Sequence, residues 1–323
     1  MHSPIRLLNE AGVTFHAPAT ASEISAAEAQ IGQPLPDDLR NLYLDHNGEE
    51  GSEEPVLMAR LQSLEELIEA CRESDEFWED ECPFFRHRFL PMWADGGGNY
   101  FVVFVQGEER GLIGRINHDW PYFIEPHYRD VNGLYAALLD AYRRDDFDLM
   151  RDYTGDSGMG QRERQVFDAH LAAYDPALDA PLREYHGAFL LTLCPLGRER
   201  ELLHLLHDDR LTVLTGNLLS RRKCQWALPA LTDAVREHAP NSSIAFNLLN
   251  AITDLDAPNT GEALVKLARD FPVTLSAHYL AEALQRCGFR VERPQNAQGR
   301  FVQARISVET EPDGWLVLAW ADR

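Results

Sequence analysis

The chain has 323 residues, 45% of them apolar and 25% charged, a balance that excludes a disordered or collagen-like polymer. It is long enough for one large or two ordinary domains and buries a core without metals or disulfides. Its 52 acidic residues against 30 basic ones give a formal charge of −22, which disfavours direct binding of nucleic acid and suits a basic partner.

The acidity is local. Residues 1–150 hold 29 acidic and 11 basic side chains, and residues 49–81 hold 13 acidic ones against only Arg60 and Arg72. Five scattered cysteines without a C-x-x-C pair argue for a reducing compartment, no disulfide framework and no zinc knuckle. Met1–Arg6 opens without a long apolar stretch, and no apolar run is long enough to span a bilayer, so a cytoplasmic protein with no membrane contact is expected.

The first expected element is a helix opened by Thr20-Ala21-Ser22-Glu23, a capping box, and closed at Gly32. Pro34-Leu35-Pro36 leads into a second helix with Asp37 and Asp38 in its first turn and Leu39, Leu42 and Tyr43 on its buried stripe. Asn47-Gly48 ends it. Pro55–Leu61 reads as a strand. Ser63 then opens a helix with Leu64, Leu67, Ile68 and Cys71 on one face and Glu65, Glu69, Glu73, Glu76 and Asp80 on another. Phe89–Trp93 and Tyr100–Val105 flank the turn Asp95-Gly96-Gly97-Gly98-Asn99 as a hairpin, Gly111–Asn117 is a further strand, and Val131–Arg144 is a helix.

Thr154–Gly160 is small, polar and glycine-rich, and reads as a linker between a domain of residues 1–153 and a domain of residues 161–323. Apolar stripes near 166–174, 182–193, 201–206, 211–219, 226–235, 244–252, 262–271 and 277–287 then predict stacked helical hairpins, of the HEAT kind if they repeat. Phe301–Thr310 and Trp315–Trp320 flank an Asp313-Gly314 turn and predict a terminal β-hairpin.

Several pieces of the first domain fall in a recognisable order. They are Glu23-Ile24-x-x-Ala27-Glu28-x-x-Ile31-Gly32, Leu35-Pro36-x-Asp38-Leu39-Arg40, Asn47-Gly48, Phe89-Leu90-Pro91-Met92, Asp95–Phe101, and a strand ending in His118-Asp119. In these pieces, over roughly residues 10–145, the chain resembles the SUKH superfamily, which includes a fungal cell-wall synthesis regulator and many bacterial toxin-immunity proteins. The resemblance implies an α+β fold with an antiparallel sheet, a binding role in place of catalysis, and a cognate polymorphic toxin, often a nuclease, as partner. It transfers no catalytic site. An all-α domain with a short β-hairpin follows outside the resemblance.

A nuclease cleft is cationic, so the expected contact is the acidic segment: Glu49, Glu50, Glu53, Glu54, Glu65, Glu69, Glu73, Glu76 and Asp80, with Trp78 as an aromatic anchor among the charges. Such a surface occludes the toxin's active site. The alternative is a regulatory or scaffold protein that holds a host protein in its helical domain. No enzyme is expected. Asp95–Asn99 lacks the Gly-Lys-Ser/Thr of a phosphate loop, Gly155-Asp156-Ser157-Gly158 sits in a linker, and His204, His207 and Asp208 lack a further metal ligand. No cofactor and no metal is called for.

Overall fold

Ordinary helix signals carry the first third of the chain in the computed structural model, which describes residues 14–50, 60–144, 159–239, 242–271, 273–274, 277–296, 298, 301, 303–311 and 314–320. Helix α1 (Ala21–Ile31) starts on the expected capping box, with the Glu23 backbone N–H donating to Thr20 Oγ1 and the Glu23 carboxylate accepting from the Thr20 N–H. It ends on Gly32 at φ +82°. Helix α2 (Asp37–Asp45) buries Leu39, Leu42 and Tyr43. Gly48 follows at φ +88°, where a Cβ would lie 2.6 Å from the Ser63 backbone nitrogen, so the close approach as well as the dihedral requires glycine.

The expected strand 55–61 is described only as β1 (Arg60–Leu61). Helix α3 (Leu64–Glu81) opens on a second capping box, Ser63 with Glu66, and buries Leu64, Leu67, Ala70, Cys71 and Trp78. A short 3₁₀ turn (Pro83–Phe85) leads to strands β2 (Phe89–Ala94), β3 (Tyr100–Phe104), β4 (Ile113–Asn117) and β5 (Trp120–Tyr128). With β1 they form one antiparallel sheet in chain order. The strand β5 escapes the sequence reading because Pro121 and Pro126 interrupt it. It lies at the sheet edge, where a missing N–H costs no ladder bond. Helix α4 (Val131–Arg144) follows.

The sheet has two faces of different fate. Leu90, Met92, Val103, Val105, Ile113 and Tyr128 pack with α1, α2, α3 and α4 in one continuous core. The alternate positions, Phe89, Val102, Phe104 and Ile124, point to the other side. The helices α5 (Gln161–Ala173) and α6 (Ala180–Thr192) belong there. Phe189 of α6 packs on Phe104 with ring centroids 5.3 Å apart, and Glu184 accepts from the Trp120 indole. A buried polar cluster joins the same elements. Arg88 pairs with Glu109 at 2.6 Å and donates to the Tyr185 hydroxyl at 3.1 Å, Tyr185 donates to Glu109, and His170 and His186 meet at 3.0 Å between their Nδ1 atoms.

This packing moves a boundary. The first compact unit runs to Pro195, and the second is Leu196–Arg323, whereas the sequence reading divides the chain at 154–160. That stretch, Met159 and Gly160 apart, lies outside the described residues. The apolar face of the sheet, more than the glycine-rich composition of 154–160, decides which helices join the unit.

The second unit holds a 3₁₀ stretch (Glu199–His207), then α7 (Thr212–Arg221), a short 3₁₀ turn (Gln225–Ala227), α8 (Leu228–His238), α9 (Ser242–Asp254), α10 (Thr260–Asp270) and α11 (Ala277–Arg286). Each of α7 to α11 packs on neighbours one or two places along the chain around Leu231, Leu248, Ile252, Leu264 and Leu284. The expected terminal hairpin is β8 (Gln303–Ser307) with β9 (Trp315–Trp320), and it is the centre of a larger sheet. The strands β6 (Val273–Thr274), parallel to β9, and β7 (Val291–Glu292), antiparallel to β8, extend it, both too short to leave a periodic signal. The five cysteines are free thiols.

Candidate binding groove

The acidic residues of α3 lie where helical geometry puts them. At 100° per residue, Glu65, Glu69, Glu73, Glu76 and Asp80 span an arc of about 80° and a length of about 22 Å. All five are exposed. Glu69 pairs with Arg72 one turn on. The side chains of Glu65, Glu73, Glu76 and Asp80 make no hydrogen bond or ion pair among the described residues. The carboxylates off this arc serve the fold. Glu66 pairs with Arg60 and closes the capping box, which holds its carboxyl below the ordinary range against the effect of burial. Asp75 accepts from the His87 backbone N–H at 3.1 Å and pairs with its ring at 2.8 Å, fixing a residue at φ +57° between helix and sheet.

Two of the expected contact residues are elsewhere. Glu49 is 2% exposed: it bridges to Phe15 and donates its N–H to Leu61, so the chain folds it under β1. Burial pushes its carboxyl up to about 7. Trp78 is 3% exposed and packs between Phe85, Phe89 and Tyr122, so it is core and not an anchor. An indole in an acid-rich run reads as an interface residue only if its helical angle is ignored. Trp78 falls on the buried stripe with Leu67 and Cys71. Glu50 is exposed; Glu53 and Glu54 lie outside the described residues.

The structure adds what the charge pattern lacks. Beside the ridge, α3 and the second face of the sheet enclose a groove of about 260 Å³, with walls that include Phe77, Trp78, Phe89, Pro91, Tyr100 and Ile116. The α6 helix covers one part of this face, and the groove is a part left open. Phe77 is 45% exposed at its edge. Glu73 sits on the border, an element of both the ridge and the groove wall. Tyr100 carries a hydroxyl whose pKa is raised by burial and by the charge of Glu73.

The glycine turn builds the far wall. Asp95 Oδ1 accepts from the backbone N–H of Gly97 at 2.7 Å and of Asn99 at 3.1 Å, so Asp95–Asn99 is a structural turn. Burial opposes ionisation of Asp95, but these bonds and one from the Asn99 amide hold its carboxyl below the usual range. Asn99 Oδ1 in turn accepts from the His118 N–H at 3.0 Å, which sets His118 at the groove edge. Gly98 at φ +92° lies against it, where a Cβ would come within 3.3 Å of His118 Cβ.

The remaining polar pairs do not converge. His207 pairs with Glu237 at 2.6 Å, and His118 with Asp119 at 3.2 Å in the open. Among the described residues no three His, Cys, Asp or Glu side chains are placed to hold a metal ion. Gly155-Asp156-Ser157-Gly158 lies outside them. No helix among the described residues is long and apolar enough to cross a membrane.

Residues 18–130 match the model of the SMI1 / KNR4 family (SUKH-1), a span that holds α1 to α3, the five strands of the first sheet, the ridge and the groove. Comparison with curated proteins gives no match.

Proposed function

We propose that this chain, which belongs through residues 18–130 to the SUKH superfamily, is an immunity protein whose acid-rimmed groove binds and neutralises a basic toxin domain. The superfamily is associated with toxin immunity, and its domains are generally binding modules with immunity or regulatory roles. The observation that carries the reading is the juxtaposition of an exposed carboxylate ridge with an apolar groove on one side of α3.

The physical logic is that of a protein interface. An apolar pocket with an aromatic edge supplies the desolvated centre, and charge around it steers the encounter. A nuclease must hold phosphate, so its cleft is cationic, and a carboxylate array competes for it directly. The ridge then occludes the active site without any chemistry on the part of the inhibitor. With five free thiols, the protein suits the reducing interior of the cell.

The test is co-expression with the toxin encoded beside this chain's gene. Cells survive with the native chain and die with a variant carrying Glu65→Lys, Glu69→Lys and Glu73→Lys at matched expression. Death with the native chain, or full protection by the triple variant, refutes the reading.

A further inference from the structure

We infer that the groove beside α3 seats one arginine side chain of the basic partner. The inference rests on the reading of this face as the contact surface, and it names what enters it. Three features select the occupant.

The first is size. Small-molecule sites hold roughly 300–1,000 Å³. The groove, at about 260 Å³, is scaled to one long side chain. The second is the contrast between its depth and its mouth. Phe89, Pro91 and Ile116 give apolar walls with no charge to meet a polar group. Glu73 stands at the border, with Phe77 on the same helix and Tyr100 on β3 among the aromatic members of the lining. The third is that the Glu73 side chain makes no hydrogen bond or ion pair among the described residues, so its carboxylate is available.

An arginine satisfies all three. Its three methylenes lie along apolar walls, its planar head stacks on aromatic side chains, and its paired N–H groups meet a carboxylate in bidentate fashion. Lysine matches less well, because its ammonium is a strongly hydrated point charge that does not stack. A phenylalanine or leucine fills the walls but desolvates Glu73 without a partner, which is unfavourable. An acidic side chain is repelled by the ridge. The groove and the ridge thus act together: the ridge attracts a basic surface, and the groove distinguishes guanidinium from ammonium on it.

Blocked tripeptides Gly-X-Gly, with X arginine, citrulline, lysine, norleucine or phenylalanine, test this by nitrogen-15 TROSY titration of the full chain. The arginine peptide is expected to shift the amides of Glu73, Phe77 and Tyr100. It should bind about fivefold tighter than the citrulline peptide, the worth of one exposed ion pair, and tighter than the lysine peptide, which keeps the charge but neither the stacking nor the bidentate fit. The Glu73→Gln variant, at an exposed position that leaves the fold intact, should reduce arginine binding to the citrulline level. Equal or tighter binding of the norleucine or phenylalanine peptide, an unchanged affinity in Glu73→Gln, or shifts confined to other surfaces overturns the assignment.

A second variant separates this outcome from the fate of the underlying reading. Ser74→Trp fills the groove from α3, and its protection is scored against the toxin in co-expression. Loss of protection with no arginine preference among the peptides removes the arginine and keeps the contact surface. Full protection by Ser74→Trp removes the contact surface, and the arginine assignment with it.

Discussion

The two faces of the N-terminal sheet are built from the same alternation of side chains but end differently. One is closed over its length by four helices of its own domain, with Leu90, Met92, Val103 and Ile113 in a single core. The other is closed in part by α6, through Phe189 and the Arg88–Glu109–Tyr185 cluster, and in part stays open as the groove. The difference teaches that an apolar sheet face is a resource with two uses. Where a helix covers it, the face contributes stability. Where it is left open beside charge, it offers a docking site. The same strand supplies both, since Tyr100 lines the groove and Phe104, four residues on, packs under α6.

The contrast is broken most sharply by comparing neighbours in sequence. The Trp78→Ala change removes a core indole and should destabilise the chain by about 3–5 kcal/mol in urea unfolding. Phe77→Ala, one residue earlier but exposed, should cost no more than about 0.5 kcal/mol while weakening the toxin complex. Glu109→Ala should cost about 2–4 kcal/mol, because it removes the buried carboxylate that pairs the partly buried Arg88 guanidinium. A loss below about 1 kcal/mol there would show that α5 and α6 are not integral to the sheet's second face.

A smaller effect is expected from Gly114→Ala. The added Cβ would lie 2.7 Å from Phe104 Cε2 and 3.1 Å from Ile124 Cγ2 on the face under α6. Overpacking of this kind costs about 1–3 kcal/mol, read as a lower unfolding midpoint. An unchanged midpoint would mean that this face is loosely closed.

The two regions also differ through a pair of opposed pH dependences. Burial lowers His186 to about 4 and holds His170 well below the ordinary histidine value, the charges of His186 and Arg88 adding to the effect on His170. Below the ordinary histidine value near 6.5, the unfolded chain binds protons that the folded chain refuses. Stability is therefore lost as pH falls from about 6.5 towards 4. Glu49 acts with the opposite sign. Its folded value near 7 lies above the ordinary 4.5, so its contribution is present below 4.5 and lost as pH rises through 7. The variant Glu49→Gln should gain stability relative to the native chain at pH 8, by no more than about 3 kcal/mol, with no such gain at pH 4.5. A gain of equal size at both values would show that Glu49 does not titrate on folding.

Much of the fold is legible in the amino-acid sequence. Capping boxes at Thr20 and Ser63, the glycine turn at Asp95–Asn99 and the helical stripes after residue 161 are local signals, and the residues responsible make their bonds within a few positions of themselves. The ridge on α3 is legible for the same reason. The groove is not, because its walls come from α3 and strands β2 to β5, and only tertiary packing shows which alternate positions α6 leaves uncovered. Glu49 misleads because a glutamate in an acidic run reads as solvated, whereas its pairing with Leu61 carries it inside. β5 and the two short outer strands of the C-terminal sheet are invisible to periodicity for lack of length or through proline.

The rate of association with the proposed toxin partner, measured from low to high salt, tests the central claim most directly. The native chain should associate faster as salt falls. The variant with lysine at positions 65, 69 and 73 should be slower by about 10- to 100-fold at low ionic strength, with its salt dependence flattened. An unchanged rate and an unchanged slope in that variant would contradict the assignment of the acidic ridge and its groove as the contact.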